Sequence, residues 1–190
     1  IYSSPKTAGH QLYLYDNFMY ADNAGDVDFD GDGKPGGTIS GFIVPQQIPG
    51  EVNAGKLTCF IGEGDLAYTG DFISFNAPES YWKNPGANPF NIPNQYQLWD
   101  GVNCTGNSNT SPNNVWNNKS LCLTVDGIDI DTFDIPWATP QKPWLLQPGD
   151  TSAHIDLPTE VDSWNLIYMI LSFRSKTVIG GTTHYVIRGG

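Results

Sequence analysis

The eleven residues Ser163–Phe173, SWNLIYMILSF, contain no charge, no Gly and no Pro. Even positions (Trp164, Leu166, Tyr168, Ile170) and odd positions (Ile167, Met169, Leu171, Phe173) are both apolar. A strand with one wet face alternates, so a strand of this composition is expected to be covered on both sides. A buried helix also fits the run, because positions 164, 167, 168 and 171 share a helical face. Aromatic and β-branched residues dominate, and the rest of the chain offers almost no helix-forming sequence, which favours the strand. Leu166, Tyr168, Ile170 and Leu171 are its expected core residues, and the remaining elements must pack around them.

The other segments are short and punctuated by turns. Residues 1–9 form a polar, Pro-containing arm with Ile1 and Tyr2 at its tip, and 10–190 reads as one domain. A chain of 190 residues is long enough to bury a core without covalent staples. Strands are expected at 10–20, 38–44, 56–61, 71–75, 121–125, 128–135 and 152–157, then after the central run at 177–179 and 183–187. Asp126-Gly127 between two apolar runs is a hairpin signal, because both central residues of that turn take positive φ. Between 81 and 120 the texture changes. Eleven Asn and four Pro fall within 84–118, among scattered aromatics, as in a long irregular surface loop. Nine or ten strands and no convincing helix imply an all-β protein, an antiparallel β-sandwich or jelly roll.

The sharpest chemical signal is Asp26-Val27-Asp28-Phe29-Asp30-Gly31-Asp32-Gly33-Lys34-Pro35-Gly36. Four carboxylates at alternate positions repel one another unless a hard cation neutralises them, and alternate spacing in a turning loop aims successive oxygens at one centre. Calcium is the expected ion and Asp26, Asp28, Asp30 and Asp32 its expected ligands; Mg²⁺ fits less well because it keeps more water. A second acidic set, Asp126, Asp129, Asp131 and Asp134, alternates with apolar residues in the manner of an exposed or an edge strand.

Composition excludes several functions. A net charge of −11 argues against nucleic acid and against an anionic membrane surface, both of which need basic partners. No run reaches the roughly 18 apolar residues of a membrane span. Sixteen Asp against four Glu, with sixteen Asn, is a composition of turns and oxygen-ligand sites rather than of helices. So few Lys and Glu make an unusual cytosolic surface, and the start at Ile1 fits a chain whose leader has been removed. Cys59, Cys104 and Cys122 match no zinc pattern; Cys104 and Cys122 are spaced to close a loop, and Cys59 reads as a buried strand residue. Asn103, Asn109 and Asn118 each open a glycosylation sequon. His10, His154 and His184 lie in ordinary strand contexts, no hydrolase, metalloprotease or nucleotide-binding motif occurs, and the four Glu have no glycosidase context, so an enzyme is not expected.

Two resemblances add to this reading. The acidic segment is similar to the DxDxDG class of calcium loops, in one of two registers. Asp26, Asp28 and Asp30 followed by Gly31 match the first half of an EF-hand loop; Asp28, Asp30 and Asp32 followed by Gly33 match integrin-type propeller loops. The closing acidic ligand of the two templates falls on Gly37 and Gly36 respectively, so another residue must complete the shell. Separately, VWNNKS (115–120), VDGIDIDTFDI (125–135), LQPGDTSAHIDLPT (146–159) and DSWNLIYMILSFRSK (162–176) resemble uncharacterised β-sandwich modules of secreted prokaryotic cell-surface proteins. IGEGD (61–65) and TGDFISFN (69–76) extend that similarity. It implies an extracellular, non-catalytic role. The expectation is a subunit of a surface filament or surface layer, binding copies of itself by strand addition through the Ile1–Gly9 arm. The alternative is a calcium-dependent carbohydrate-binding or adhesion module that presents Trp82, Trp99, Trp116, Trp137 and Trp144 to a polysaccharide.

Overall fold

The computed structural model describes residues 9–22, 28–34, 36–62, 72–81, 92–98, 129–158 and 163–175. Seven strands lie within them: β1 (Gly9–Asp22), β2 (Gly37–Ser40), β3 (Asn53–Ile61), β4 (Ser74–Phe75), β5 (Asp129–Pro136), β6 (Ser152–Asp156) and β7 (Ser163–Ser175). They form a four-stranded sheet in the order β1-β7-β3-β5 and a three-stranded sheet in the order β2-β6-β4, with every pairing antiparallel. The chain is therefore all-β. The only helical turns among the described residues are 3-10 turns at Glu79–Tyr81 and Asn94–Tyr96. The expected strands at 121–125, 177–179 and 183–187, the Asp126-Gly127 turn and most of the 81–120 loop lie outside the described residues.

β7 is central, as its composition predicts, with β1 on one side and β3 on the other. Residues of one parity form rows across the inner face, such as Tyr13–Leu171–Leu57–Phe133 and Gln11–Phe173–Gly55–Ile135. Leu57, Phe133 and Leu171 are fully buried there. They join Ile39, Phe75, Ala153 and Ile155 of the three-stranded sheet in a single apolar core. Phe42 bridges this core to the sheet, tilted against Phe173 and edge-on to Tyr13 at centroid separations of 5.5 and 6.0 Å. Tyr15 Oη donates to the Ser40 carbonyl at 3.0 Å, tying the end of β2 to β1.

The expectation that β7 is covered on both faces is corrected. Leu166 and Leu171 are inaccessible, whereas Tyr168 and Ile170 are only half-buried. They belong to outer-face rows, Asp16–Tyr168–Phe60–Ile130 and Leu14–Ile170–Thr58–Thr132. The described residues place side-chain neighbours across these rows and no second layer above them. In β1, Tyr13 and Tyr15 face the core, while Leu12 and Leu14 are 69% and 60% exposed on the outer face.

Two expected strands are shorter than their apolar runs. β2 stops at Ser40 because Gly41 takes φ +88°, and Phe42 and Val44 are delivered to the core from irregular backbone instead. Val44 is held there by its amide on the Asp150 carbonyl (2.8 Å) and by its carbonyl on the Gly149 amide (2.9 Å). β4 shrinks to two residues and ends at Asn76, whose side chain accepts the His154 amide at 2.7 Å and donates to the Trp144 carbonyl at 2.9 Å. A small satellite core of Phe72, Ala77, Ile92 and Tyr96, with Trp144 against Tyr96 at 4.8 Å, fixes the adjoining loops.

Candidate metal centre

The acidic loop joins β1 of one sheet to β2 of the other, and its described part runs through 28–34 and Gly36. Its neck is a parallel bridge between Asp28 and Gly36, with the Phe29 amide donating to the Gly36 carbonyl at 3.0 Å. Phe29 turns inward and packs on the main core, which anchors an otherwise polar loop. Beyond the neck Gly31 and Gly33 take φ +76° and +83°, a region that disfavours side chains with a Cβ.

These bends wrap the backbone around the carboxylates. Asp28 accepts from the amides of Gly31 (2.7 Å), Asp32 (3.2 Å) and Gly33 (2.8 Å). Asp30 accepts from Asp32 (3.2 Å) and from Thr38 at the start of β2 (2.6 Å), and Asp32 accepts from Lys34 (2.9 Å). Asp28 is half-buried; Asp30 and Asp32 are exposed. One oxygen from each lies within 4.8 Å of the others, a cluster that can hold a metal ion. Each carboxylate oxygen has a second lone pair, so amide donation orients the ligands without exhausting them. The adjacent cation looks away from the centre: Lys34 Nζ pairs with Glu79 at 2.7 Å, and that bond, with the Glu79 charge, raises the lysine's pKa.

Of the four expected ligands, the structure brings together Asp28, Asp30 and Asp32; Asp26 lies outside the described residues. The absence of a closing carboxylate at position 36 has a local cause. Gly36 takes φ +74°, and a Cβ there would collide with the Ile155 carbonyl and approach the Asp156 side chain of β6. The neck rests directly on β6, so no side chain fits at that position. Ile1, Tyr2, Asn103, Asn109, Asn118, Cys104 and Cys122 all lie outside the described residues.

Below the neck is a polar group that sequence reading passes over. Asp156 is fully buried; Ser74 Oγ donates to its Oδ2, and His154 Nε2 meets its Oδ1 at 3.1 Å. The carboxylate stands between serine and histidine, so the imidazole is not positioned to take the hydroxyl proton, and Ser74 is itself inaccessible. The group thus ties β4 to β6. The one sequence hint is the His-x-Asp spacing on β6, which puts both side chains on one face of the strand.

β5 is an edge strand of the four-stranded sheet, as one of the two expectations for its acidic pattern has it, but Asp131 is not exposed. Phe133 and Ile135 set the inward parity of β5, so Asp131 is buried while Ile130, three residues from Phe133, is half-exposed. Asp134 keeps the expected exposure and pairs with Lys56 at 2.9 Å. Of the five loop tryptophans, Trp137 and Trp144 are described; both are partly buried and pack against the main core. Comparison with known proteins finds no matching family model, no matching curated protein and no matching solved structure.

Proposed function

We propose that this chain is a non-enzymatic structural protein of the cell surface, a two-sheet β-sandwich subunit that assembles into a filament or layer by strand addition and is stabilised by calcium. The observation carrying the assembly reading is an imbalance among the sheet edges. β2 is closed by polar partners, since its Thr38 amide donates to Asp30 and its Ser40 carbonyl accepts from Tyr15. β4 is covered by residues 97 and 98, through a Ser74–Gln97 bridge and the Leu98 amide on the Ile73 carbonyl. β5 carries Asp129, Asp131, Asp134 and a terminal Pro136, devices that discourage pairing. β1 carries Asp16, Asp22 and a bulge after Asp16, but its stretch 9–15 has none of these. Its fourteen residues contain no Lys, Arg or Pro, and no neighbour lies on its outer edge among the described residues.

An edge uncovered among the described residues offers main-chain hydrogen bonds to an incoming strand. The Ile1–Gly9 arm is the donor that the sequence offers, with Ile1 and Tyr2 filling pockets at its tip. Calcium follows from the loop chemistry. Asp28, Asp30 and Asp32, with Asp26 as the fourth ligand in this reading, offer the several carboxylate oxygens that Ca²⁺ takes, whereas Mg²⁺ keeps more of its water. An oxygen-ligand site of this kind, a surface poor in Lys and Glu, and sequons at Asn103, Asn109 and Asn118 suit an extracellular setting.

Electron microscopy and sedimentation of the purified chain in millimolar calcium test the proposal. Ordered assemblies are expected. A strict monomer retained on a polysaccharide matrix replaces this reading with the carbohydrate-binding one.

A further inference from the structure

We infer that the strand added to β1 is β1 of a second copy, paired antiparallel about a two-fold axis through Tyr13. The inference rests on the strand-addition reading and, at this edge, puts β1 itself in place of the Ile1–Gly9 arm as the incoming strand. β1 runs in unbroken register with β7 from Gly9 to Asp16, and a bulge between Asp16 and Met19 ends the regular stretch. In an edge strand the outward-pointing amides and carbonyls belong to residues of one parity, so two copies pair only in registers whose residue numbers add to an even sum.

Centred on Tyr13, His10 stands opposite Asp16 of the partner subunit and Leu12 opposite Leu14 of the partner subunit. The two-fold axis generates both pairs twice. All four side chains are exposed on the same outer face, so each meets its counterpart without rearrangement. A donor imidazole then faces a carboxylate, and apolar side chains face each other, the cross-strand combinations that stabilise a sheet. Sliding the register by two residues one way sets Leu12 against Asp16 and His10 against Phe18. Sliding it the other way leaves Asp16 beyond the paired stretch. The complementary register also ends where the bulge begins. The product is a continuous eight-stranded sheet whose two halves share the exposed Leu12 and Leu14 cluster. Because each copy carries a net charge of −11, association depends on salt or calcium to screen repulsion. A two-fold contact closes on itself, so filament growth needs a further contact beyond this one.

Cysteine cross-linking of the full chain tests the register, in dimers and in larger assemblies alike. Leu12→Cys and Leu14→Cys proteins, mixed and oxidised in calcium buffer, are expected to give the mixed disulfide in excess over either homodimer. Leu12→Lys should raise the dissociation constant of the dimer at least roughly tenfold while the melting temperature of the dilute monomer stays unchanged, since a lysine on an edge opposes pairing. Deleting residues 1–8 should leave the dimer intact. Dominant Leu12–Leu12 or Leu14–Leu14 cross-links overturn the register, and a dimer indifferent to Leu12→Lys overturns the interface. Loss of the dimer in the folded deletion variant makes the arm the incoming strand, ending this inference while strand addition stands. A chain that is monomeric at every concentration removes both.

Discussion

Cys59 and Tyr15 show how far single side chains register their surroundings. Cys59 is fully buried on the inner face, between Met169 and Asp131 in the strand register. Burial pushes its thiol pKa far up, and the Asp131 carboxylate acts in the same direction. Burial likewise raises the Tyr15 phenol, with Tyr13 adding to it. In both cases the folded state keeps a proton that the unfolded chain releases earlier. Their contribution to stability is full below the ordinary thiol value of about 8.5, and it declines as pH rises past that value and then past about 10 for the phenol. Two outcomes are expected. A thiol reagent at about pH 8 leaves Cys59 untouched until the protein is unfolded, and the melting temperature falls on raising the pH from about 8 to about 10.5. Peptide mapping that finds Cys59 modified in the native protein would contradict the burial from which both follow.

Adjacent positions of β7 separate packing on its two faces. Leu171 is fully buried in the row Tyr13–Leu171–Leu57–Phe133, and Leu171→Ala is expected to cost about 2–5 kcal/mol. Ile170, half-buried between Leu14 and Thr58, loses less apolar area, and Ile170→Ala should cost roughly 1–2 kcal/mol. Urea midpoints measure both, and equal losses would mean that the outer face is as enclosed as the inner. The sequence names β7 as central because an unbroken apolar run suits no edge. It does not reveal the unequal faces, because apolar residues at both parities say nothing about which face is the more enclosed. In β5 the parity is legible after the fact: Ile130 and Phe133 are three apart and cannot share a face, so one must be exposed and Asp131 must follow Phe133 inward. The acidic loop is readable because alternate carboxylates with interleaved glycines have few other uses. Burial of Asp156 is not, because it depends on Ser74, which is 82 residues away in the chain.

At the scale of the whole molecule, successive described strands alternate between the two sheets, and the acidic loop makes the first of these crossings. β1 leaves the four-stranded sheet, the loop turns at Asp28–Gly36, and β2 enters the three-stranded one. Asp30 grips the Thr38 amide of β2, Gly36 presses on β6, and Lys34 reaches Glu79 beyond β4. A metal ion drawing Asp28, Asp30 and Asp32 together therefore acts first on the three-stranded sheet, while β7 is held by its own inner-face packing. At a calcium concentration 100-fold above the dissociation constant, a single site adds about 2.7 kcal/mol to stability. Chelation is accordingly expected to lower the melting temperature. It should also speed amide exchange in 28–40 and 152–156, with a smaller change in 166–173, where exchange is slowest throughout. Asp30→Asn should reproduce part of the chelated state and blunt the response to added calcium. Exchange that is identical with and without calcium, after verified metal removal, excludes a stabilising ion at this loop; a uniform change across both sheets means that the ion acts on the fold as one cooperative unit rather than through the β2–β6–β4 layer.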